Sequence, residues 1–556
     1  MFGYAHSFLN LKVPAECVTS ITGIAAMILV VALPFTVALT WLTVVLYRHY
    51  VKQTMSIASG TKVVSVSTGN TAVGVPPTTT LQFDFVDSTI QSSTSPLMQY
   101  AAQGIQHVGF AYVGAGIAHA LVSVVLTFSL GDMEFLPIRF TSTLLLYLWP
   151  IIPALILIRV GDVRSKWVLL VGYFAFVLLL DVGISLFGAH DIGSVGLLLL
   201  AWVGWMGIPS LLLWLLNNRA WRSVGLPAYL VGIGLVAAYL LVVQGLGCLA
   251  IATDDLRLWH SRYVVFLVAV AVMAMGVWWA LDHLARRYRD KQISTQSWTL
   301  DSWWLVITLS EILIQFDSTS GGSVSFILAY VTYKWVSTYL LQRSANVIHP
   351  QPASLLLLRV FRYRLRSRQL LDQLSQRWNC IGPISLISAP DLAATNLEPD
   401  ELLHFWGGRL RNLFVANSED LDKRLASFDD HPDPDGRYRI NEFFCYDNTW
   451  QATVHALTQC SDAVLMDLRG FGENNKGCSF ELGLLLAEVP LARVVLLVDE
   501  TTQREVLLHL LEELWQQLPA DSINRVLIEP RLCLFNAPST LYSIEPLLQR
   551  VAEAVR

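Results

Sequence analysis

The sequence predicts a multi-pass α-helical membrane domain followed by an α/β domain built on a doubly wound parallel sheet. Three observations carry that reading. The chain is 54% hydrophobic and only 15% charged, against about 25% charged residues in an ordinary soluble domain. The apolar residues are concentrated upstream, where Thr19 to about Leu284 holds successive runs of about 18–27 residues, each long enough to cross a hydrocarbon core about 30 Å thick. From Ser375 onward charges and prolines return, and short β-rich runs alternate with amphipathic helical ones. The chain therefore divides into a transmembrane region of about seven spans at 1–300, an apolar hairpin or membrane-associated segment with a basic juxtamembrane linker at 301–374, and an α/β domain at 375–556.

The expected spans are Ile21 to Tyr47, Ile105 to Leu130, Ser142 to Ile158, Trp167 to Phe187, Ser194 to Leu216, Leu226 to Ala252 and Tyr263 to Leu284. Backbone groups in lipid must be satisfied within the segment, so each is a helix. Arg48 and Lys52 follow the first span, Arg159, Arg164 and Lys166 the third, Arg219 and Arg222 the fifth, and Arg286, Arg287, Arg289 and Lys291 the seventh, while the alternate loops are poorer in basic residues. That bias predicts an N-terminus outside and a cytoplasmic C-terminal domain, in a cell inner or plasma membrane. Trp303 to Phe316 with Glu311 and Val324 to Leu341 with Lys334 flank a Gly-rich break; both cross or neither does, if parity is to hold. The run Arg359, Arg362, Arg364, Arg366 and Arg368 reads as a contact with anionic lipid headgroups or as a solvated linker helix. Asp181 sits within the fourth expected span, and the reading preferred for it is a helix–helix hydrogen bond or a shallow position near the outer interface. The loop Ser56 to Ser95, rich in Ser, Thr, Val and Gly, reads as a short β element or disorder.

Composition also excludes. A net charge of −5 does not suit a nucleic-acid-binding surface. The seven cysteines, Cys17, Cys248, Cys380, Cys445, Cys460, Cys478 and Cys533, show no zinc or redox spacing, and the five in the C-terminal region fit a reducing compartment. The N-terminus lacks the pattern of a cleaved signal, so the first apolar run is expected to be retained. There is no GxxxxGK[ST], HExxH or GxSxG. No metal and no required cofactor are expected.

In the C-terminal region, strands are expected at Ile384 to Ser388, Ile440 to Tyr446, Ala463 to Asp467, Val494 to Asp499 and Val526 to Ile528, the last with Leu532 to Phe535 as an extension. Helices are expected at Pro399 to Leu413, Thr449 to Gln459, Ser479 to Glu488, Gln503 to Gln517 and Leu541 to Ala554. The alternation predicts a parallel sheet covered on both faces, with ligands at the carboxyl ends of its strands. Those ends carry Asp447 and Asn448, then Asp467 and Arg469, then Asp499 and Glu500; Glu481 stands in the first turn of the helix after the loop GFGENNKG. Each has a structural explanation beside the functional one. Asp467 can cap a turn, Asp499 is better read that way, and Lys476 and Arg469 can hold a phosphate or stay solvated. Glu481 is the exception, because it interrupts the otherwise apolar CSFELGLLLAEV near the sheet edge, next to a small Gly483.

The stretch DAVLMDLRGFGENNKGCSFELGLLLAEVPLARVVLLVDE, Asp462 to Glu500, resembles the core of the nucleoside deoxyribosyltransferase-like and TIR-like superfamily. The resemblance covers about 40 residues closely and about 170 in outline, and it does not extend to the insertion SFDDHPDPDG. It implies a flavodoxin-like sheet and N-glycosidic bond chemistry, with NAD or a related nucleotide as substrate. Carried over residue by residue, it implies a reacting carboxylate at Glu481 and, more weakly, a ribose-holding Asp467. Asp447 or Asn448 would orient the base, and Arg469, Cys478 and Ser479 would complete the substrate site. Self-assembly into a homo-oligomer in the bilayer would concentrate such domains. Two other classes stand beside the enzyme: a non-catalytic receptor or scaffold whose TIR-like domain binds nucleotides or partners, and a transporter with a regulatory domain.

Overall fold

The computed structural model describes residues 15–55, 77, 79–87, 95–130, 135–158, 163–187, 208–217, 219–238, 242, 246, 256–315, 322–345, 351–360, 364–388, 397–473, 475–537 and 544–555. The chain forms two compact units. One comprises Met1–Leu46, His107–Ser344 and Leu397–Trp406; the other comprises Tyr47–Gln106, Ala345–Asn396 and Gly407–Arg556.

The first unit is helical. Its helices include Pro96–Leu130 from His107 onward, Pro137–Tyr147, Ile151–Ile158, Val163–Phe187, Arg219–Ala238, Leu256–Arg289, Thr295–Gln315 and Gly322–Ala345 up to Ser344. Among the described residues, three segments are by length and composition apolar enough to cross a membrane: Pro96–Ser129, Pro137–Ile158 and Ser261–Arg289. The third is the most outward-facing, with only 6% of its apolar window buried, and it exposes Val264, Leu267, Met275 and Trp279. An apolar surface of that extent needs an apolar environment. The first expected span lies within the helix Ala15–Met55, which ends in the second unit. The expected spans Ser194 to Leu216 and Leu226 to Ala252 are covered only by Ile208–Asn217 and by the part of Arg219–Ala238 they share; most of 194–207 and 239–252 lies outside the described residues. Asp181 belongs to the helix Val163–Phe187, but its side chain lies outside the described ones.

Aromatic packing fixes the middle of this unit. Trp303 and Trp304 are fully buried, Trp149 and Trp303 meet edge to face at 5.7 Å, and the Trp303 Nε1–H donates to the Pro150 carbonyl at 3.2 Å. That bond helps satisfy the backbone where Pro150 interrupts the segment Pro137–Ile158. Lys334, the expected charge in the last apolar segment, pairs with Asp301.

Among the described residues, the second unit is an α/β sheet of eight strands, all parallel: β1 Gln82–Asp87, β2 Leu355–Arg359, β3 Ile384–Ser388, β4 Phe414–Val415, β5 Ile440–Cys445, β6 Ala463–Asp467, β7 Val494–Val498 and β8 Arg531–Asn536. Their order across the sheet is β1-β8-β7-β6-β2-β3-β5-β4. A parallel sheet is covered on both faces, so its central strands read as unbroken apolar runs. β2 shows this directly. Leu356 and Leu358 enter the core on one face, together with Val464, Met466, Leu496 and Val498. Leu355 and Leu357 enter the other, with Ala463, Leu465, Val495 and Leu497.

Several expectations are corrected. β2 lies inside the segment 301–374 assigned to a hairpin and linker, the helix Arg364–Trp378 begins in it, and β1 lies inside 1–300, so the α/β unit draws on sequence well upstream of 375. Arg359 is the last residue of a central strand and is 3% exposed, which rules out a lipid-headgroup contact for it; Arg362 lies outside the described residues. The expected strand at Val526 to Ile528 is absent: a 3-10 turn at Ile523–Val526 stands there, and β8 forms at the next apolar run. The helix Pro399–Trp406 belongs to the helical unit.

Candidate functional site

Chain direction in the sheet reverses between β2 and β6. From β2 the chain moves one way through β3 to β5; it then returns to β6 on the other side of β2 and continues through β7 to β8. Such a switch point leaves a crevice at the carboxyl ends of the two strands, where open α/β sheets bind their ligands. Arg359 closes β2 and Asp467 closes β6, and the two are register partners. The candidate site is therefore the pair of residues that flank the switch point, with what the following loops add.

The loop after β6 turns at Gly470, whose φ of 77° favours glycine. This folds Arg469 back onto Asp467 in a bidentate pair, with Nε to Oδ1 at 2.7 Å and Nη2 to Oδ2 at 2.8 Å. Arg469 Nη2 also donates to the Arg366 carbonyl at 3.4 Å. The Arg366 guanidinium in turn reaches Asp499 Oδ2 at 3.1 Å, and Asp499 Oδ1 accepts from the backbone N–H and the hydroxyl of Thr501. One network thus joins the ends of β6 and β7 to the helix that follows β2. Asp467, Arg469 and Asp499 are all buried.

Glu481 stands on the helix Lys476–Glu488, in its second turn rather than its first. A dipole at the helix start therefore does not account for it. It is 4% exposed, and its Oε2 is buried without a hydrogen-bond partner. Burial pushes its carboxyl up to about 8, and the Arg359 charge works against that rise. Arg359 is thus the strand-end residue that acts electrostatically on Glu481.

The remaining expected residues separate into three groups. Cys478 is buried in the apolar core, where burial and then the Glu481 charge push its thiol up to about 12; it is not presented to the crevice as a reactive thiolate. Ser479 is half-buried on the same helix turn. Asp447 and Asn448 are exposed beyond β5, which is separated from β6 by β2 and β3. Three strand spacings of about 4.8 Å place those two strand ends about 14 Å apart. The described hydrogen bonds therefore unite Asp467, Arg469, Arg366 and Asp499, electrostatics adds Arg359 and Glu481, and Asp447 and Asn448 stand apart. Among the described residues no cluster of His, Cys, Asp and Glu could hold a metal ion.

Sequence reasoning missed Arg359 and Arg366. The signal was present in LLLLR at Leu355–Arg359, an apolar run of strand length that closes on a charge, as AVLMD and VVLLVD do at β6 and β7. Its place in a basic stretch concealed it.

No known protein family, no curated protein and no solved structure matches this chain.

Proposed function

We propose that the chain is a multi-pass membrane protein whose flavodoxin-like, TIR-like α/β unit faces the cytoplasm, binds a nucleotide at the β2–β6 crevice and cleaves its N-glycosidic bond. The observation that carries this reading is the meeting of Arg359, Asp467 and Glu481 at the switch point. A carboxyl lifted to about 8 beside a guanidinium is the kind of perturbed group that marks reactive sites. In the ionised form Glu481 stabilises the ribosyl cation as the C1′–N bond breaks and its electron pair leaves with the base. Water then adds to C1′ and gives up its proton. Arg359 favours that ionised form, so activity should rise with pH through about 8. Arg366 and Arg469 supply positive charge for phosphates, and NAD is the first substrate to try. The bilayer gathers copies into a homo-oligomer.

The test is nicotinamide release from NAD by the full-length protein in lipid nanodiscs, at concentrations that allow self-association. Release by wild type and its loss in Glu481→Gln, with binding and folding retained, is the expected result. No release under those conditions overturns the enzymatic reading.

A non-catalytic receptor or scaffold is favoured by one specific observation: Glu481 is almost entirely buried. In that case the network closes the edge and signals occupancy, and nucleotide binding persists unchanged in Glu481→Gln without any turnover in wild type.

A further inference from the structure

Two side-chain contacts join the helices Pro96–Leu130 and Thr295–Gln315, which run in the same direction through the helical unit. Tyr112 Oη meets Ser297 Oγ at 2.8 Å, and about two turns onward on the first helix and three on the second His119 Nε2 meets Thr308 Oγ1 at 3.3 Å. Gly116 permits the approach, since a Cβ there would come within 2.9 Å of the Trp304 ring. The His119 ring also lies against Trp304, with centroids 4.8 Å apart. One turn beyond that contact stand Ser123 on the first helix and Glu311 on the second, because Ser123 follows His119 by four residues and Glu311 follows Thr308 by three; residues so spaced share a face of their own helix.

All four side chains are buried: His119 is 1% exposed, Ser123 0%, Thr308 3% and Glu311 2%. Yet among the described residues His119 Nδ1, Ser123 Oγ and both carboxyl oxygens of Glu311 have no hydrogen-bond partner. Buried polar atoms are satisfied by protein, water or a bound ion. An ionisable residue inside an apolar helix bundle marks a functional path by default. A metal does not suit the donors, for among the described residues no group of three His, Cys, Asp or Glu converges. Among the described residues, the other titratable groups on the helix turns packed here include Asp301 and Lys334, which pair with each other, Tyr112, which is bonded to Ser297, and Tyr147, Tyr330 and Tyr333.

We propose that this seam is a proton-carrying site of the helical unit, in which water held by the hydroxyls of Ser123 and Thr308 links the His119 imidazole to the Glu311 carboxyl. In the transfer the N–H bond at His119 Nδ1 breaks and an O–H bond forms on Glu311 through the intervening water. An imidazolium and a carboxylate become a neutral imidazole and a carboxylic acid, and no other reactant takes part. The site stands independently of the nucleotide reading of the α/β unit.

Full-length protein in lipid nanodiscs is treated with dicyclohexylcarbodiimide, which modifies protonated carboxyls in apolar surroundings, and the modified peptide is identified by mass spectrometry. Glu311 is modified, the modification falls about tenfold per pH unit once the carboxyl ionises, sodium chloride gives no protection, and His119→Gln moves the midpoint. Absence of labelling at Glu311 at every pH overturns the proposal, as does a midpoint indifferent to His119→Gln. Protection by sodium overturns it in favour of a metal-cation site. Should His119→Gln fail to fold, the acid-minus-alkaline infrared spectrum of wild type decides. Carboxyl and imidazole bands that titrate together support the relay, and bands that titrate separately refute it.

Discussion

Glu481 is held where its charge is least welcome. Its carboxyl ordinarily titrates at 4.5 and in the folded unit at about 8, so the native state keeps a proton that the unfolded chain releases. The stability this proton supports is complete below about 4.5 and is lost as pH rises toward 8, amounting to roughly 5 kcal/mol across the window. Glu481→Gln removes the titration. Amide exchange in Lys476–Glu488 should show the variant matching wild type near pH 4.5 and better protected above about 8; an identical loss of protection with pH in both proteins would contradict this. Arg359→Met should raise the wild-type midpoint, because the guanidinium is the charge that opposes the shift. Asp467 has a different role. Asp467→Ala leaves the Arg469 guanidinium buried without its bidentate partner, at a cost of about 3–5 kcal/mol. Replacing both residues, Asp467→Ala with Arg469→Met, should recover much of that loss in the same measurement.

At the scale of elements, β2 decides where the site lies. It pairs with β3 on one side and β6 on the other, and its leucines fill both apolar layers. Leu357→Asp would bury a carboxylate inside one of them at a cost above about 4 kcal/mol. The α/β unit should then lose protection throughout, whereas an equivalent change in a solvated linker would leave it intact. β3 and β6 were legible residue for residue, and β5 and β7 to within one, because short apolar runs bounded by turns and flanked by amphipathic helices have few other readings. β2 was not, since a four-leucine run after a long apolar half is locally indistinguishable from membrane sequence. β1 was open for a related reason: QFDFVD alternates, but it pairs with β8 across more than 400 residues of chain, and nothing local specifies such a partner. Asp467 and Arg469 could be named from sequence because strand ends are local features, and Glu481 because a carboxylate interrupting an otherwise apolar helical run is visible without the fold. The separation of Asp447 and Asn448 could not, because it follows from strand order, which the insertion of β2 and β3 sets.

For the whole molecule, the reading requires the apolar helices to lie in a bilayer and the α/β unit to stand in the cytoplasm. The basic residues after the expected odd-numbered spans motivate that orientation, and the outward-facing apolar surface of Ser261–Arg289 motivates the bilayer. The cysteines supply a built-in reporter. Among the described residues Cys460 is an exposed free thiol, while Cys380, Cys445, Cys478 and Cys533 are buried. A membrane-impermeant maleimide should leave Cys460 unmodified in intact cells and modify it after lysis, and Cys460→Ser should remove that lysis-dependent signal. The protein should stay in the membrane pellet through an alkaline carbonate wash, which separates an embedded chain from one attached by surface charge. Modification of Cys460 in intact cells would place the α/β unit outside. It would then be cut off from cytoplasmic nucleotides, and the proposed N-glycosidase would have no supply of substrate even if Glu481 were competent.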